Sequence, residues 1–328
     1  MLKFYASLQV VAALVRVRVG EVSRVLTNAA TMFLATQSLP RSGERGYNAI
    51  CMATHLLLGC GYLGRVVASR WIAEGKSVSA LTRSRSDEIR SLGIEPILGD
   101  VTRPTSLQLP HVATVLYAIG LDRTAGRSMR EVYLGGLTNV LNNLPRPKAF
   151  VYISSTSVYG QDDGGWVDEA SPTEPVEESG RIVLECERLL RDRLPEAIIL
   201  RFAGIYGPGR VIRRAAIEKG ESIATDPEGW LNLIHVDDGA NAILAAAERG
   251  RPGATYNVVD NQPMTRREFY SEMASLLGAP APRLTSAVER TNRRINNGRL
   301  SSELGVETQY PDFRVGLRQA IGIESTRS

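Results

Sequence analysis

Short apolar runs alternate with helical patterns along most of the chain. Six such runs are bounded by turn residues, which is typical of parallel strands buried on both faces. They are His55–Leu58, Ser77–Leu81, Ile94–Leu98, Val112–Ala118, Ala149–Ile153 and Ala197–Phe202. The predicted helices between them include Tyr62–Glu74, Glu131–Leu144 and Arg181–Arg193. This alternation predicts an α/β fold with a doubly wound parallel sheet and right-handed crossovers.

The pattern loosens after Gly207, where charged and proline-bearing stretches separate the apolar segments. The later elements are an apolar run, a helix and a strand, at Leu231–Val236, Asp238–Glu248 and Thr255–Val259. We predict that residues 52–206 form the core. Residues 207–328 are expected to supply mainly a small C-terminal substrate lobe, with 231–260 returning to the core. Such a lobe would lie over the carboxyl ends of the strands, where open α/β sheets bind ligands.

Composition and charge narrow the class of protein. The 328 residues are 43% hydrophobic and 23% charged, which is ordinary for a globular protein with a sizeable core. The formal net charge is +4, and the excess lies entirely within residues 1–51. We therefore expect no nucleic-acid binding by the folded body. No apolar run reaches the roughly 18–20 residues that a membrane-spanning helix needs, so no membrane association is expected.

The first 51 residues differ from the rest of the chain. Met52 directly precedes the first predicted strand, as a start codon would, so residues 1–51 are expected to be a disordered or non-native extension. The apolar stretch Phe4–Val15 is too short to span a bilayer, and no small-residue cleavage site follows it. The acid-poor, arginine-containing start leaves an organellar transit peptide as the alternative.

Cysteine and histidine give no sign of a metal centre. The 3 Cys and 3 His lack the spacing of metal ligands, so no metal is predicted. Unpaired, sparse cysteines are typical of a reducing compartment, and we expect a cytoplasmic protein.

A glycine-rich turn follows the first predicted strand and opens a helix. Its residues are Gly59, Cys60, Gly61, Tyr62, Leu63 and Gly64. In this G-x-G-x-x-G pattern the first glycine permits a tight turn, and the second lets backbone approach a diphosphate. The third allows close helix–strand packing, and the helix N-terminus favours negative charge. The strand–turn–helix setting indicates a dinucleotide site in a Rossmann-type fold; the alternative is a glycine-rich turn without a ligand.

The end of the second predicted strand indicates which dinucleotide is favoured. An NAD site usually has Asp or Glu there, to hold the ribose 2′-hydroxyl. This chain has Arg83, Ser84 and Arg85, and no acid until Asp87. Guanidinium and hydroxyl groups suit a 2′-phosphate. We therefore predict NADP rather than NAD; the alternative is that the two arginines are solvated loop charges.

Two later strand ends complete the predicted cofactor site. Asp100 and Val101 follow the third strand. The Asp100 carboxylate would either accept a hydrogen bond from the adenine amine or cap the following turn. Ala118 and Gly120 close the fourth strand with small residues, as is needed where backbone lies beneath a cofactor.

Several motifs, taken in order, resemble those of the extended short-chain dehydrogenase/reductase superfamily, the NAD-dependent epimerase/dehydratase family. Besides the glycine turn they are Gly99–Val101, Val151–Gly160, Leu200–Gly209, Leu233–Asp238, Tyr256–Val259 and Asn297–Leu300. The resemblance runs from about Thr54 to Ile321. Leu58 stands where the family's TGxxGxxG form has its first glycine. This shorter form is similar to an atypical subgroup of largely undefined activity.

The resemblance also implies catalytic positions, two of which have changed. In active members a Ser or Thr after the fifth strand works with a Tyr-x-x-x-Lys pair on the next helix, whose phenol exchanges a proton. The hydroxyl position is Ser155, but Ser179 and Val183 stand where the Tyr and the Lys belong. No Tyr-x-x-x-Lys occurs anywhere in the chain. The catalytic candidates are Ser155, alternatively a turn hydroxyl, and Tyr159, whose family counterpart packs structurally.

Several other polar residues each allow both a functional and a structural interpretation. Arg210 would pair with an anionic substrate or lie at the surface. His235 with Asp237 and Asp238 suggests acid–base work or metal binding, but the resemblance implies a strand-to-helix junction in which Asp237 or Asp238 caps the helix. Asp162, Asp163 and Glu178 could deliver a proton, although solvated loop charge accounts for them as well.

Two functional hypotheses follow. The first is an NADP-dependent oxidoreductase or epimerase that acts on a small polar substrate, such as a sugar nucleotide, with a non-standard proton donor. The second is a non-catalytic NADP-binding redox sensor. The sequence leaves the substrate, the direction of reaction and homodimer formation open, because function depends on the site rather than on the fold.

Overall fold

The computed structural model describes residues 54–287 and 291–323, so the predicted extension at 1–51 lies outside the described residues. The strands, in chain order, are β1 (His55–Leu58), β2 (Val78–Thr82), β3 (Glu95–Leu98), β4 (Thr114–Tyr117), β5 (Ala149–Ser155), β6 (Trp166–Val167), β7 (Ile198–Phe202), β8 (Gly204–Tyr206), β9 (Ile223–Ala224), β10 (Trp230–Leu231), β11 (Leu233–His235), β12 (Thr255–Val258), β13 (Met264–Thr265), β14 (Leu284–Thr285) and β15 (Arg294–Ile295).

Seven of these strands form one parallel sheet in the order β12-β7-β5-β4-β1-β2-β3. The order reverses at β1, where His55 pairs with Val78 on one side and Thr114 on the other. The predicted doubly wound parallel sheet is therefore confirmed. Crevices at such a reversal are where open α/β sheets bind ligands.

Helices cover both faces of the sheet. They are α1 (Tyr62–Ala73), α2 (Ser86–Ser91), α3 (Gly136–Asn143), α4 (Glu178–Arg193), α5 (Arg214–Glu218), α6 (Val236–Arg249), α7 (Arg266–Leu277), α8 (Gly298–Leu304) and α9 (Phe313–Ile321). The helix predicted over Glu131–Leu144 forms, and its first turn, Glu131–Gly135, is π-helical and continues without a break into α3.

The core explains why the strands are apolar throughout. Leu56, Leu57 and Leu58 of β1 are all fully buried. Leu57 packs into the cluster that includes Trp71 of α1 and residues of α6, whereas Leu56 and Leu58 pack into the opposite cluster with α3 and α4. Alternate side chains of one strand thus enter cores on both faces of the sheet.

The C-terminal part adds a third core. Phe269 of α7 and Phe313 and Leu317 of α9 are fully buried within it. The short strands there form two-stranded pairs, such as β10 with β13 and β14 with β9. β12 is different, because it is the end strand of the central sheet beside β7.

The junction before α6 corrects the expectation that Asp237 or Asp238 caps this helix. The N-cap is His235, whose Nδ1 accepts a hydrogen bond from the Asp237 backbone N–H at 3.2 Å. The Asp238 carboxylate accepts instead from the backbone N–H groups of Gln309 and Tyr310. Asp238 therefore ties the C-terminal segment to α6, and the imidazole takes the capping position.

No helix in the described part of the chain combines the length and the apolar character needed to cross a membrane.

Candidate functional site

The glycine turn has the geometry that a diphosphate requires. Gly59 has a φ of 112°, and a Cβ there would lie 2.3 Å from the Ala118 carbonyl oxygen. A Cβ at Gly64 would lie 2.3 Å from the Gly59 carbonyl oxygen, so both positions exclude a side chain. A Cβ at Gly61 would meet nothing within 4 Å. Open space therefore lies in front of the backbone at Gly61, where a diphosphate can approach.

The start of α1 is also left free for an anion. No side chain caps the helix at Gly61, and its first turn contains no acidic residue. The partial positive charge of the helix N-terminus is therefore not compensated locally. These backbone groups fit the diphosphate of a pyridine dinucleotide.

A cleft of about 970 Å³ lies over the carboxyl ends of β1, β2, β3, β4 and β5. Every residue that the sequence predicted for cofactor binding lines it: Gly59, Cys60, Gly61, Tyr62, Leu63, Gly64, Arg83, Ser84, Arg85, Asp100, Val101, Ala118 and Gly120. The fold thus brings together residues from four strand ends along one crevice. The crevice coincides with the reversal of strand order at β1.

Two arginines at the end of β2 line the cleft, and each is beside a carboxylate: Arg83 beside Asp122, and Arg85 3.6 Å from Glu88. An Nη of Arg85 lies 3.5 Å from the Cys60 carbonyl oxygen, which places this guanidinium beside the glycine turn. Arg83 donates to an Asp122 carboxylate oxygen at 2.7 Å. Hydrogen bonds from Thr124 and Arg83 lower the pKa of Asp122 to about 2. Asp87, the first acid after β2, is fully exposed and pairs with Arg90.

Asp100 has a defined local role. Its Oδ1 accepts hydrogen bonds from the Thr102 backbone N–H at 2.9 Å and from the Thr102 hydroxyl at 2.8 Å. Partial burial acts to raise the pKa of Asp100, but these hydrogen bonds outweigh it and lower the pKa. The carboxylate therefore caps the turn after β3. The other predicted role, toward an adenine amine, stays a prediction.

Ser155 lies in the cleft at the end of β5. Its hydroxyl oxygen accepts a hydrogen bond from the Ser157 backbone N–H at 3.1 Å, so it is a turn hydroxyl that also faces the cavity. The hydroxyl proton is free to reorient toward a bound oxygen. Its neighbour Ser154 also lines the cleft but donates to Glu187 at 2.5 Å.

Tyr159 is placed differently from Ser155. It is fully buried, and it is not among the residues that line the cleft. Its phenol oxygen accepts from Arg201 at 2.9 Å and donates to the Asn257 side-chain oxygen at 2.9 Å. Burial raises the pKa of this phenol. The geometry therefore supports a structural role for Tyr159 and argues against a catalytic one.

A buried ion pair lies beneath this part of the cleft. Arg201 of β7 donates to both carboxylate oxygens of Glu187 on α4, at 3.0 and 2.8 Å. The side chains are only 8% and 6% exposed. Through Ser154 and Tyr159 the pair connects β5 with β7 and β12.

The structure also places the two α4 residues that stand where the resemblance implies a tyrosine and a lysine. Ser179 is exposed in the first turn of the helix, and Val183 presents an apolar side chain to the cleft. Tyr133, from the π-helical turn, lines the cleft although the sequence did not single it out. Arg210 lies there as well, 5.5 Å from the centre of the Tyr62 ring. Tyr133 belongs to no sequence motif. The signal that could have identified it is its position on the helix that follows β4, a strand whose end lines the cleft.

His235 forms no catalytic or metal cluster. Its buried Nε2 contacts the Gln319 side-chain oxygen at 2.9 Å, and burial lowers the pKa of the ring. Within residues 54–287 and 291–323, no group of three or more His, Cys, Asp or Glu side chains is arranged to hold a metal ion.

The chain is similar in sequence to a known protein family and to a protein of Escherichia coli. The model of the NAD dependent epimerase/dehydratase family matches residues 56–259. The protein YeeZ of Escherichia coli strain K12 is 33% identical over 269 residues, which cover 78% of this chain and 96% of YeeZ.

Solved structures show the same fold. A protein of unknown function from Silicibacter pomeroyi is 29% identical, with a TM-score of 0.67 over 82% of this chain and 98% of that one. The dTDP-glucose 4,6-dehydratase DesIV from Streptomyces venezuelae, solved with NAD bound, is 21% identical. Its TM-score is 0.69 over 82% of this chain and 96% of DesIV, a likeness of fold alone.

Proposed function

The chain belongs to the NAD dependent epimerase/dehydratase family, and from that premise we propose that it binds NADP(H) and acts as an oxidoreductase on a small polar carbonyl compound. When bound, the nicotinamide supplies or accepts the hydride. The glycine turn holds the diphosphate through backbone N–H groups, and Ser155 orients the reacting oxygen. The buried, unpaired state of the two described cysteines supports a cytoplasmic location.

The preference for NADP is carried by one observation. Arg83, Ser84 and Arg85 line the same cleft as the glycine turn, and the carboxylates among the described lining residues are Asp100 and Asp122. Neither belongs to the end of β2, where an NAD site holds the 2′-hydroxyl with an acid. Two guanidiniums and a hydroxyl at this place match a 2′-phosphate.

The experiment is a fluorescence titration with NADPH and NADH. Hydrogen bonds to charged groups contribute about 1.5–3 kcal/mol, so Arg83→Ala and Arg85→Ala should each weaken NADPH binding about tenfold or more and leave NADH unchanged. Arg90→Ala is the matched control, because Arg90 is an exposed arginine of α2 outside the cleft. Equal affinity for the two cofactors, unchanged by either variant, would contradict the NADP preference.

A non-catalytic NADP sensor is the second candidate, and Val183 favours it. This apolar side chain lines the cleft where active relatives are expected to have a lysine. A sensor would bind NADPH tightly yet oxidise it with no member of a panel of small aldehydes and ketones. Turnover with any member would exclude this candidate.

A further inference from the structure

Four tyrosines are among the described residues that line the cleft: Tyr62, Tyr117, Tyr133 and Tyr152. Tyr117 and Tyr152 are each 3% exposed, and burial raises their pKa values well above the ordinary range. The Tyr62 hydroxyl donates to the Pro208 carbonyl at 3.1 Å, beside the glycine turn. These three phenols are therefore too buried or too near the diphosphate end to act on a substrate.

Tyr133 differs from the other three. It is half-buried, and its phenol oxygen accepts a hydrogen bond from the Leu121 backbone N–H at 3.3 Å. The phenol is thus bonded as an acceptor, and its own proton can be donated into the cleft. A backbone N–H directed at the oxygen also stabilises the charge that develops when the proton leaves.

Packing places Tyr133 at the end of the cleft that contains Ser155 and Val183, which we call the reacting end. Its ring contacts the apolar cluster that contains Val158 and Val183, and also the cluster that contains Tyr152. Ser155, at the end of β5, belongs to the same end. The ring is carried by the π-helical turn Glu131–Gly135, and single π turns within helices occur frequently at functional sites.

Resting on the proposed function, we propose that Tyr133 is the proton donor of the reaction, a phenol supplied by the helix after β4 in place of one absent from α4. Bound NADPH would supply the hydride and be oxidised to NADP⁺; as the new C–H bond forms, the π pair of the C=O bond would take the Tyr133 proton. The carbonyl becomes an alcohol, and the phenol becomes a phenolate held by the Leu121 N–H. A proton from solvent then restores the phenol, so that overall the carbonyl, NADPH and one proton give the alcohol and NADP⁺.

The other acids of the cleft do not fit this role. Hydrogen bonds lower the pKa values of Asp100 and Asp122, so both carboxyls are ionised at neutral pH and have no proton to give. The Cys60 thiol is 3% exposed and lies in the glycine turn, at the diphosphate end of the cleft. An alcohol such as Ser155 is a far weaker acid than a phenol.

The first test needs no substrate. With ζ-carbon-labelled tyrosine, the Tyr133 NMR signal is identified by its absence from Tyr133→Phe, and the Tyr62 signal by its absence from Tyr62→Phe. NADP⁺ should move the Tyr133 signal, whereas 2′-phospho-ADP-ribose, which lacks the nicotinamide, should not. The Tyr62 signal should respond equally to both, because Tyr62 lies at the diphosphate end.

The second test separates proton donation from binding. Tyr133→Phe should keep NADPH affinity and KM within about twofold while kcat for carbonyl reduction falls about 10²–10⁴-fold. A kcat within tenfold of wild type, or a Tyr133 signal that NADP⁺ leaves unmoved although the cofactor binds, overturns the assignment and leaves the proposed function standing. If the wild-type protein binds no NADPH, or binds it without any turnover, the proposed oxidoreductase function itself fails.

Discussion

The buried Glu187–Arg201 ion pair is expected to stabilise the part of the protein beneath the cleft. Glu187→Gln keeps the shape of the side chain and removes its charge. Arg201, 8% exposed, would then be a guanidinium with no carboxylate partner in the described part of the chain. Removing one member of a buried pair costs about 3–5 kcal/mol, because the remaining charge stays desolvated. That is a large share of the roughly 5–15 kcal/mol by which a typical protein is stable.

The assay is equilibrium denaturation in urea, followed by circular dichroism. Glu185→Gln is the matched control: the residue lies on the same helix and pairs with Arg130, but its side chain is 36% exposed. Solvent screens such a surface pair, so this variant should lose far less stability.

A double variant checks the reasoning. Glu187→Met with Arg201→Met removes both charges and leaves the Ser154 hydroxyl as the main unsatisfied group, a cost of about 1–3 kcal/mol. The double variant should therefore be more stable than Glu187→Gln alone. Two results would contradict this reasoning: a Glu187→Gln variant no less stable than Glu185→Gln, or a double variant less stable than both. Either result would show that loss of stability does not come from an uncompensated buried charge.

Two further predictions concern the glycine turn and the buried imidazole. Gly61→Ala should unfold at the same urea concentration as wild type but bind NADPH at least about tenfold more weakly, because its methyl group would meet no protein atom within 4 Å and would occupy the diphosphate's space. Gly64→Ala should instead lower the urea midpoint, since its Cβ would lie 2.3 Å from the Gly59 carbonyl oxygen; equal stability of the two variants would contradict this. Burial lowers the pKa of His235 from 6.5, so the neutral ring stabilises the fold above that pH and the free energy of unfolding falls as pH drops through the lowered value. The urea midpoint of His235→Gln should therefore change less than that of wild type between about pH 7.5 and about pH 5.

The sequence predicted the cofactor end of the cleft because local signals determine it. The turn from Gly59 to Gly64 is a strand–turn–helix unit whose backbone requirements show in the glycines themselves. Parallel strands then place the residues after β2, β3 and β4 at one edge of the sheet, so their convergence with the turn follows from the topology. Neither step needs knowledge of how side chains pack.

The reacting end depends on packing between distant segments, which the sequence pattern does not contain. The helix predicted over Glu131–Leu144 begins with a π-helical turn, which the sequence pattern does not show, and Tyr133 lies on this turn. The capping role of His235 was missed for a related reason. An aspartate is the usual N-cap, but the contacts of Asp238 with the segment around Tyr310 take its carboxylate away from the helix start.

The ion pair also explains why Tyr159, which follows β5, has a different role from Tyr133, which follows β4. Arg201 lies in a desolvated core, and Glu187 alone leaves one of its Nη groups without an acceptor. The Tyr159 phenol accepts a hydrogen bond from that nitrogen and donates its own to the Asn257 side-chain oxygen, so its proton is not available to a substrate. Among the described residues, Tyr133 accepts its hydrogen bond from the backbone N–H of Leu121, and it lines the cleft. A chain with Ser179 and Val183 on α4, where the resemblance implies a tyrosine and a lysine, thus still places one phenol able to donate a proton at its reacting end.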